Sequence, residues 1–154
     1  MARFRQKNIS IMTFDEIKKE TQLEIKTNPK TRLIWYWGLA SLISVFILKW
    51  IRAQHMHLSE PADFLQGTLP NFFAATGICA AVFVYHKLIF RVDKPFTEKL
   101  IFATLFTLFG LILWEVIQYF MGSPMDIYDI MMTIFGCGIT GGFIYILYYK
   151  TINM

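Results

Sequence analysis

The segment from Leu113 to Gly142 reads LWEVIQYFMGSPMDIYDIMMTIFGCGITGG. Two apolar runs flank a Gly-Ser-Pro break, acidic residues follow the break, and a glutamate stands inside the first run. The pattern predicts two membrane-spanning helices joined as a hairpin, around which the rest of the chain is organised. Charged groups in or beside hydrocarbon are costly, so these acids indicate either a functional site or tight internal pairing.

The composition of the chain indicates a membrane protein. Hydrophobic residues make up 55% of its 154 residues, and the mean hydropathy is +0.45. A bilayer core about 30 Å thick needs roughly 20 apolar residues per helix, and four blocks of the chain approach that length. We therefore predict an all-α polytopic membrane protein in which residues 1–32 form a cytoplasmic tail and residues 33–154 a four-helix transmembrane bundle. The predicted spans are 33–51, 71–90, 100–121 and 129–149.

The placement of charge predicts the topology. The chain carries 15 Lys and Arg against 11 Asp and Glu, a formal net charge of +4. Most basic residues lie before the first span or around the 91–96 connection, which places both termini and that connection in the cytoplasm by the positive-inside rule. We expect the connection to do no more than fix this orientation, and we expect no nucleic-acid partner.

The N-terminal tail carries one helix signal. Thr13 and Glu16 have the spacing of a capping box, which predicts a short amphipathic helix from Phe14 to Lys26. Basic residues on it favour a position at the cytoplasmic membrane surface, beside anionic lipid. The Asn28-Pro29 pair is expected to end this helix before the first span.

The connection before the second span ends with turn residues. Gly67 and Pro70 are expected to mark the turn into that span. Asn71 follows, and two interpretations of it stay open. It is either the N-cap of the second span or, at the depth of the acidic turn, a member of the site.

Neither the histidines nor the cysteines predict a cofactor. His55 and His57 precede two acids in the outer connection, but solvated polar residues explain them better than a metal site does. Cys79 and Cys137 lie at similar depth in spans two and four and are expected to be buried packing residues, adjacent if those spans touch. We expect no metal and no other cofactor.

Polar residues recur at intervals of three and four in the last two spans. Such spacing places them on one face of each helix. If the two faces meet, the side chains form an outward-opening acidic cleft, and Asn71 and Arg52 belong to the same end of the bundle. The candidate site residues are Glu115, Gln118, Asp126, Asp129, Thr133, Asn71 and Arg52.

Two structural interpretations of these residues stay open. Asp129 is also a candidate N-cap of the fourth span, where its carboxylate would accept backbone N–H groups. The whole polar set would also be explained by a network that only locks the hairpin together. Gly136, Gly138 and Gly142 are expected to form a packing surface.

The same residues resemble a family motif. Glu115-x-x-Gln118, a short turn, Asp126-x-x-Asp129-Ile130 and then Gly136 are similar to the VanZ-like integral membrane proteins, over about a fifth of the chain. Two positions depart from the usual motif. Ser123 stands where many members have Arg, and Thr133 stands where many have Asn, so Arg52 is the candidate counter-charge.

The resemblance implies a bacterial cytoplasmic-membrane protein of a family linked to glycopeptide resistance of the teicoplanin type. We expect a non-enzymatic protein whose cleft binds a membrane lipid, a cell-envelope precursor or an amphiphilic glycopeptide-type antibiotic. One alternative is a membrane-embedded hydrolase or transferase that uses Glu115 and Asp129 as acid and base. Another is a small proton-coupled transporter, which with four helices would require a homo-oligomer.

Overall fold

The computed structural model describes residues 13–54 and 59–152, and within these residues every element is a helix. Four helices are long and apolar enough to cross a membrane: Pro29–Ala53, Glu60–Val84, Phe96–Phe120 and Ile127–Tyr149. This confirms the predicted all-α bundle with four candidate spans. The helices are α1 (Phe14–Thr27), α2 (Pro29–Ala53), α3 (Glu60–Val84), α4 (His86–Phe90), α5 (Phe96–Phe120) and α6 (Ile127–Ile152).

The outer surface of the bundle is apolar. Phe46 on α2, Phe109 on α5 and Ile146 on α6 are 73%, 69% and 72% exposed. Soluble monomers rarely expose large contiguous apolar surfaces, whereas a bundle in lipid is expected to do so. The exposed aromatic and aliphatic side chains are of the kind that a membrane-spanning bundle presents to lipid.

Helix α1 begins where the sequence predicts and ends one residue later, at Thr27. Thr13 and Glu16 form the capping box: the Thr13 N–H donates to Oε2 of Glu16 over 2.8 Å, and Oγ1 of Thr13 accepts from the Glu16 N–H over 3.4 Å. Asn28 ends α1 and caps α2, because its Oδ1 accepts the Lys30 N–H over 3.0 Å. Ile17 and Thr21 are buried, so α1 packs on the end of the bundle.

The predicted limits of the second span are wrong at both ends. Helix α3 begins at Glu60, eleven residues before Asn71, so Pro70 lies inside the helix and Asn71 is not an N-cap. A proline in a membrane helix leaves one carbonyl without its usual donor, and packing against neighbouring helices tolerates this. At the other end α3 stops at Val84, and Tyr85 separates it from the short helix α4.

Helix α3, and not the α5–α6 hairpin, occupies the centre of the bundle. It packs against α2, α5 and α6. In the apolar 18-residue stretch of α3, 50% of the residues are buried. The buried share of the corresponding stretch is 17% in α2, 17% in α5 and 28% in α6. The hairpin that the sequence suggested as the organising unit is therefore docked on a helix from the first half of the chain.

Glycines mark two of the close helix crossings. A Cβ added at Gly38 of α2 would lie 2.9 Å from the Ala80 Cβ of α3. A Cβ at Gly136 of α6 would lie 2.6 Å from the Phe72 carbonyl oxygen, also of α3. Small residues at such crossings let helix backbones approach closely in lipid. Gly136 thus matches the predicted packing surface.

Gly138 and Gly142 do not belong to the packing surface against α3. Both are exposed, and a Cβ added at either would meet no atom within 4 Å in the described part of the chain. The three glycines do not share a face, because Gly136 lies two residues from Gly138 and hence about 200° away around an α-helix. Only Gly136 points towards α3.

Candidate functional site

The turn between α5 and α6 is built by local hydrogen bonds. Gly122 adopts a positive φ of 91°, a conformation that glycine reaches without steric cost, and the Ser123 N–H returns to the Gln118 carbonyl over 3.0 Å. Asp126 then accepts the Tyr128 N–H on its Oδ1 over 2.8 Å. Asp126 is therefore the residue that caps α6. The alternative in which Asp129 is the N-cap is wrong, since Asp129 lies in the first turn of the helix.

Three helices contribute side chains to one cluster beside this turn. Glu115 of α5 is only 7% exposed. Asn71 of α3 donates from its Nδ2 to Oε1 of Glu115 over 3.4 Å and also interacts with the carboxylate of Asp129 on α6. The Asp129 carboxylate in turn lies within electrostatic range of Glu115. We refer to Asn71, Glu115 and Asp129 as the carboxylate cluster.

The carboxylate cluster has few hydrogen-bond donors of its own. The 3.4 Å contact from Asn71 is long for an N–H···O bond, for which 2.7–3.2 Å is usual. Oδ1 of Asp129 is buried and has no hydrogen-bond partner among the described residues. Buried polar atoms in proteins are nearly always hydrogen-bonded, so the cluster is short of donors.

Three of the other predicted site residues make no side-chain hydrogen bond to the carboxylates of the cluster. Thr133 is buried, but its Oγ1 donates to the Asp129 carbonyl over 2.9 Å, within its own helix. Gln118 is half-buried, and its side chain makes no hydrogen bond with the described residues. Asp126 is exposed and caps α6 at the rim of the cluster.

Arg52 lies near the carboxylate cluster without pairing to it. It is exposed at the end of α2, and its charge acts on Asp129. Within residues 13–54 and 59–149 no ion pair of 4 Å or less joins Arg52 to an acid. Arg52 is thus a nearby cation that does not supply the carboxylates with a hydrogen-bond donor.

The buried cysteines add no further site in the described part of the chain. Cys79 of α3 and Cys137 of α6 are buried free thiols on helices that pack together, and each lies within electrostatic range of the other. The described residues contain no group of three His, Cys, Asp or Glu side chains suited to a metal ion. His55 and His57 lie outside the described residues.

A second polar network, which the sequence did not predict, ties α1 to the opposite end of the bundle. Nζ of Lys87 lies 3.1 Å from Glu20, 3.5 Å from Glu24 and 3.6 Å from Asp93. Asp93 also pairs with Lys99, whose Nζ is 2.6 Å from Oδ1. The 91–96 connection therefore holds α1 and α5 together, in addition to any part in orientation. No spacing rule points to these pairs, because Lys87 and Glu20 are 67 residues apart.

The charges of this network shift the pKa values of its members. Burial alone would lower the pKa of Lys87, but the hydrogen bond that Lys87 donates to Glu20 and the charges of Asp93 and Glu24 raise it above its usual value. Burial would raise the pKa of Asp93, but the hydrogen bond and charge of Lys99 hold it below its usual value. Both groups are accordingly charged near neutral pH, and both ion pairs form there.

His86 is the one buried histidine in the described part of the chain. It is 3% exposed, its Nδ1 donates to the Phe83 carbonyl over 3.1 Å, and its Nε2 lies 3.4 Å from Oδ1 of Asp93. Burial, followed by the positive charge of Lys99, lowers the pKa of His86. The imidazole is therefore neutral at physiological pH.

The residues of the VanZ-like motif have three structural roles. Glu115 and Asp129 belong to the carboxylate cluster, Asp126 caps α6, and Gly136 provides the close approach to α3. Asn71, which the motif does not include, connects the two carboxylates. No protein-family model, no curated protein and no solved structure matches this chain.

Proposed function

We propose that this chain is a non-enzymatic, VanZ-like membrane protein that binds a positively charged, hydrogen-bond-donating group of an amphiphile in the carboxylate cluster. The proposal rests on the hydrogen bonding of Glu115 and Asp129. They are two neighbouring carboxylates in candidate membrane spans, with Asn71 as their shared amide partner, no ion pair among the described residues, and Oδ1 of Asp129 unpartnered.

An unpaired carboxylate is energetically costly in a membrane span. Ionisable groups in membrane spans are tolerated when they pair with each other, with a ligand or with a backbone group. Two acids close together either hold a proton between them or bind a cation, because both cannot ionise unopposed at low dielectric. A network that served only to lock the hairpin would be expected to satisfy its acceptors from within, and this one leaves a buried oxygen of Asp129 unpartnered.

The proposed location follows from the charge distribution. With both termini and the 91–96 connection in the cytoplasm of a bacterial cell, the α5–α6 turn lies at the outer face of the cytoplasmic membrane. Glu115 is then five residues inside the end of α5, or about 8 Å along the helix axis at 1.5 Å per residue. At that depth an amphiphile can keep its chain in the outer leaflet while its head group reaches the acids. Membrane lipids, cell-envelope precursors and amphiphilic glycopeptide-type antibiotics are molecules of this kind.

The proposal is tested by comparing a cationic with an anionic amphiphile of equal chain length. Purified protein in a neutral detergent is titrated with dodecylamine or with dodecanoate, and the midpoint of thermal unfolding is recorded. A ligand that binds only the folded state raises this midpoint. We expect dodecylamine to raise it and dodecanoate to leave it unchanged.

Two variants locate the effect. Glu115→Gln removes the buried charge and should abolish the response to dodecylamine. Glu60→Gln removes an exposed carboxylate at the start of α3, the helix that carries Asn71. This variant should keep the response to dodecylamine. Equal responses to the two amphiphiles, or an unchanged response in Glu115→Gln, would contradict the proposal.

A further inference from the structure

The carboxylate cluster offers at least three hydrogen-bond acceptors to a ligand. Glu115 is more than nine-tenths buried, and only its Oε1 receives a hydrogen bond from the described residues. Oδ1 of Asp129 is buried and unpartnered. The amide of Asn71 donates through its nitrogen to Oε1 of Glu115, so Oε2 of Glu115 has no donor among the described residues. These oxygens come from two different helices, α5 and α6.

The protein does not supply the donors that these acceptors need. The Thr133 hydroxyl is bonded to the carbonyl of its own helix, and the Gln118 side chain makes no hydrogen bond with the described residues. The charge of Arg52 acts on Asp129, but Arg52 forms no ion pair of 4 Å or less with an acid among the described residues. The missing element of the cluster is therefore a group that carries both positive charge and several N–H bonds.

We infer that the carboxylate cluster is specific for a primary ammonium group and discriminates against a quaternary ammonium of the same charge. This inference rests on the proposed function. A primary ammonium has three N–H donors, which can be shared between the carboxylate oxygens of Glu115 and Asp129. A quaternary ammonium has none, so it would leave the acceptors buried and unpaired, and that loss is the usual origin of strong discrimination between such ligands.

The experiment compares dodecylamine with dodecyltrimethylammonium, which has the same chain and the same charge at neutral pH. Binding of each cation to the purified protein in neutral detergent is measured by isothermal titration calorimetry. In a competition titration, one cation displaces the other from the protein. We expect dodecylamine to bind at least about tenfold more tightly, since each hydrogen bond to a charged group contributes appreciably to binding. Ethanolamine, which has the primary ammonium but no chain, forms a third arm.

The variants Glu115→Gln and Asp129→Asn should each remove most of the preference, and Glu60→Gln should keep it. The competition in the native protein needs no variant, so it decides the matter even if one substitution prevents folding. Equal affinity for the two dodecyl cations, lost in both cluster variants, would overturn the inference and leave the proposed function standing. No binding of either cation would overturn both. Binding of ethanolamine as tight as that of dodecylamine would keep the ammonium specificity but identify a soluble amine, and not an amphiphile, as the source.

Discussion

The side-chain amide of Asn71 donates to Oε1 of Glu115 over 3.4 Å, although the two residues are 44 positions apart in the chain. The contact joins α3 to α5, and through Asp129 it extends to α6. A single neutral amide thus stands between two acids in the apolar part of the bundle. Its replacement tests whether the cluster is a coupled unit.

We predict that Asn71→Leu destabilises the protein, because the Glu115 carboxylate loses its hydrogen-bond donor. The expected loss is about 1–3 kcal/mol, the usual cost of leaving a buried polar group unsatisfied. The measurement is reversible unfolding in mixed micelles. In a double-mutant cycle with Glu115→Leu the two effects should be non-additive by at least about 0.5 kcal/mol. Strict additivity would show that the two side chains are not coupled.

Two glycines on α6 form a matched pair for a packing test. Gly136→Ala places a Cβ 2.6 Å from the Phe72 carbonyl oxygen, which belongs to the backbone and cannot rotate away. We expect Gly136→Ala to cost about 1–3 kcal/mol of stability, as for other overpacked sites. Gly138→Ala meets no described atom within 4 Å and should be neutral or slightly stabilising, since alanine favours helix. Equal effects of the two substitutions on thermal unfolding would contradict the crossing of α3 and α6.

The stability of the protein should fall as the pH is lowered through about 6.5, the pKa of an unperturbed histidine. The pKa of His86 is lowered in the folded protein, chiefly by burial and next by Lys99. Between the two pKa values the unfolded chain binds a proton that the folded chain does not, and protonation therefore favours unfolding. We expect the unfolding midpoint to decrease between pH 7.5 and 5.5.

His86→Gln should remove this part of the pH dependence. Asp93 does not obscure the test, because its pKa is lowered and its stabilisation is lost only as the pH falls below about 3.9. A variant whose midpoint still follows the native curve from pH 7.5 to 5.5 would exclude His86 as the group responsible.

Lys87 is expected to hold α1 on the bundle. Lys87→Gln removes its ion pairs with Glu20 and Glu24, and we expect amide hydrogen exchange in α1 to become faster while exchange in α3 changes little. Lys94→Gln is the matched control, since its pair with Glu98 lies within one turn and on the exposed surface. Exchange in α1 that responds equally to both substitutions would contradict a specific role for Lys87.

Cysteine labelling tests the proposed topology. Cys79 and Cys137 are buried, so they should react slowly with a maleimide in the folded protein. We expect Asp63→Cys, exposed near the start of α3, to be labelled from outside intact cells. Lys94→Cys should be labelled only after the membrane is permeabilised. The reverse pattern would place the carboxylate cluster at the cytoplasmic face.

Local signals in the sequence were sufficient to predict part of this structure. The Thr13–Glu16 capping box and the apolar blocks determine where α1 lies and that four spans exist, because both depend on neighbouring residues. The start of α3 was not predictable in this way. Its first eleven residues contain acids, a glycine and two prolines, which locally favour a loop, and packing against α2 and α6 overrides that preference.

The candidate site was predictable to a similar degree. The spacing of Glu115 and Asp129 predicted facing acids, but the bridging role of Asn71 depends on how α3 packs between α5 and α6. The hydroxyl of Thr133 could bond either a ligand or its own helix, and spacing does not distinguish these outcomes. The network around Lys87 depends entirely on contacts between distant segments.

The central position of α3 has a consequence for biosynthesis. Helices α2 and α3 leave the ribosome before α5 and α6, and they meet closely where Gly38 faces Ala80. This early pair already presents the surface on which the later two helices settle, because α3 contacts both of them. Insertion can therefore proceed in chain order, with each newly made segment finding its neighbour in place and no segment having to be threaded between helices that have already associated.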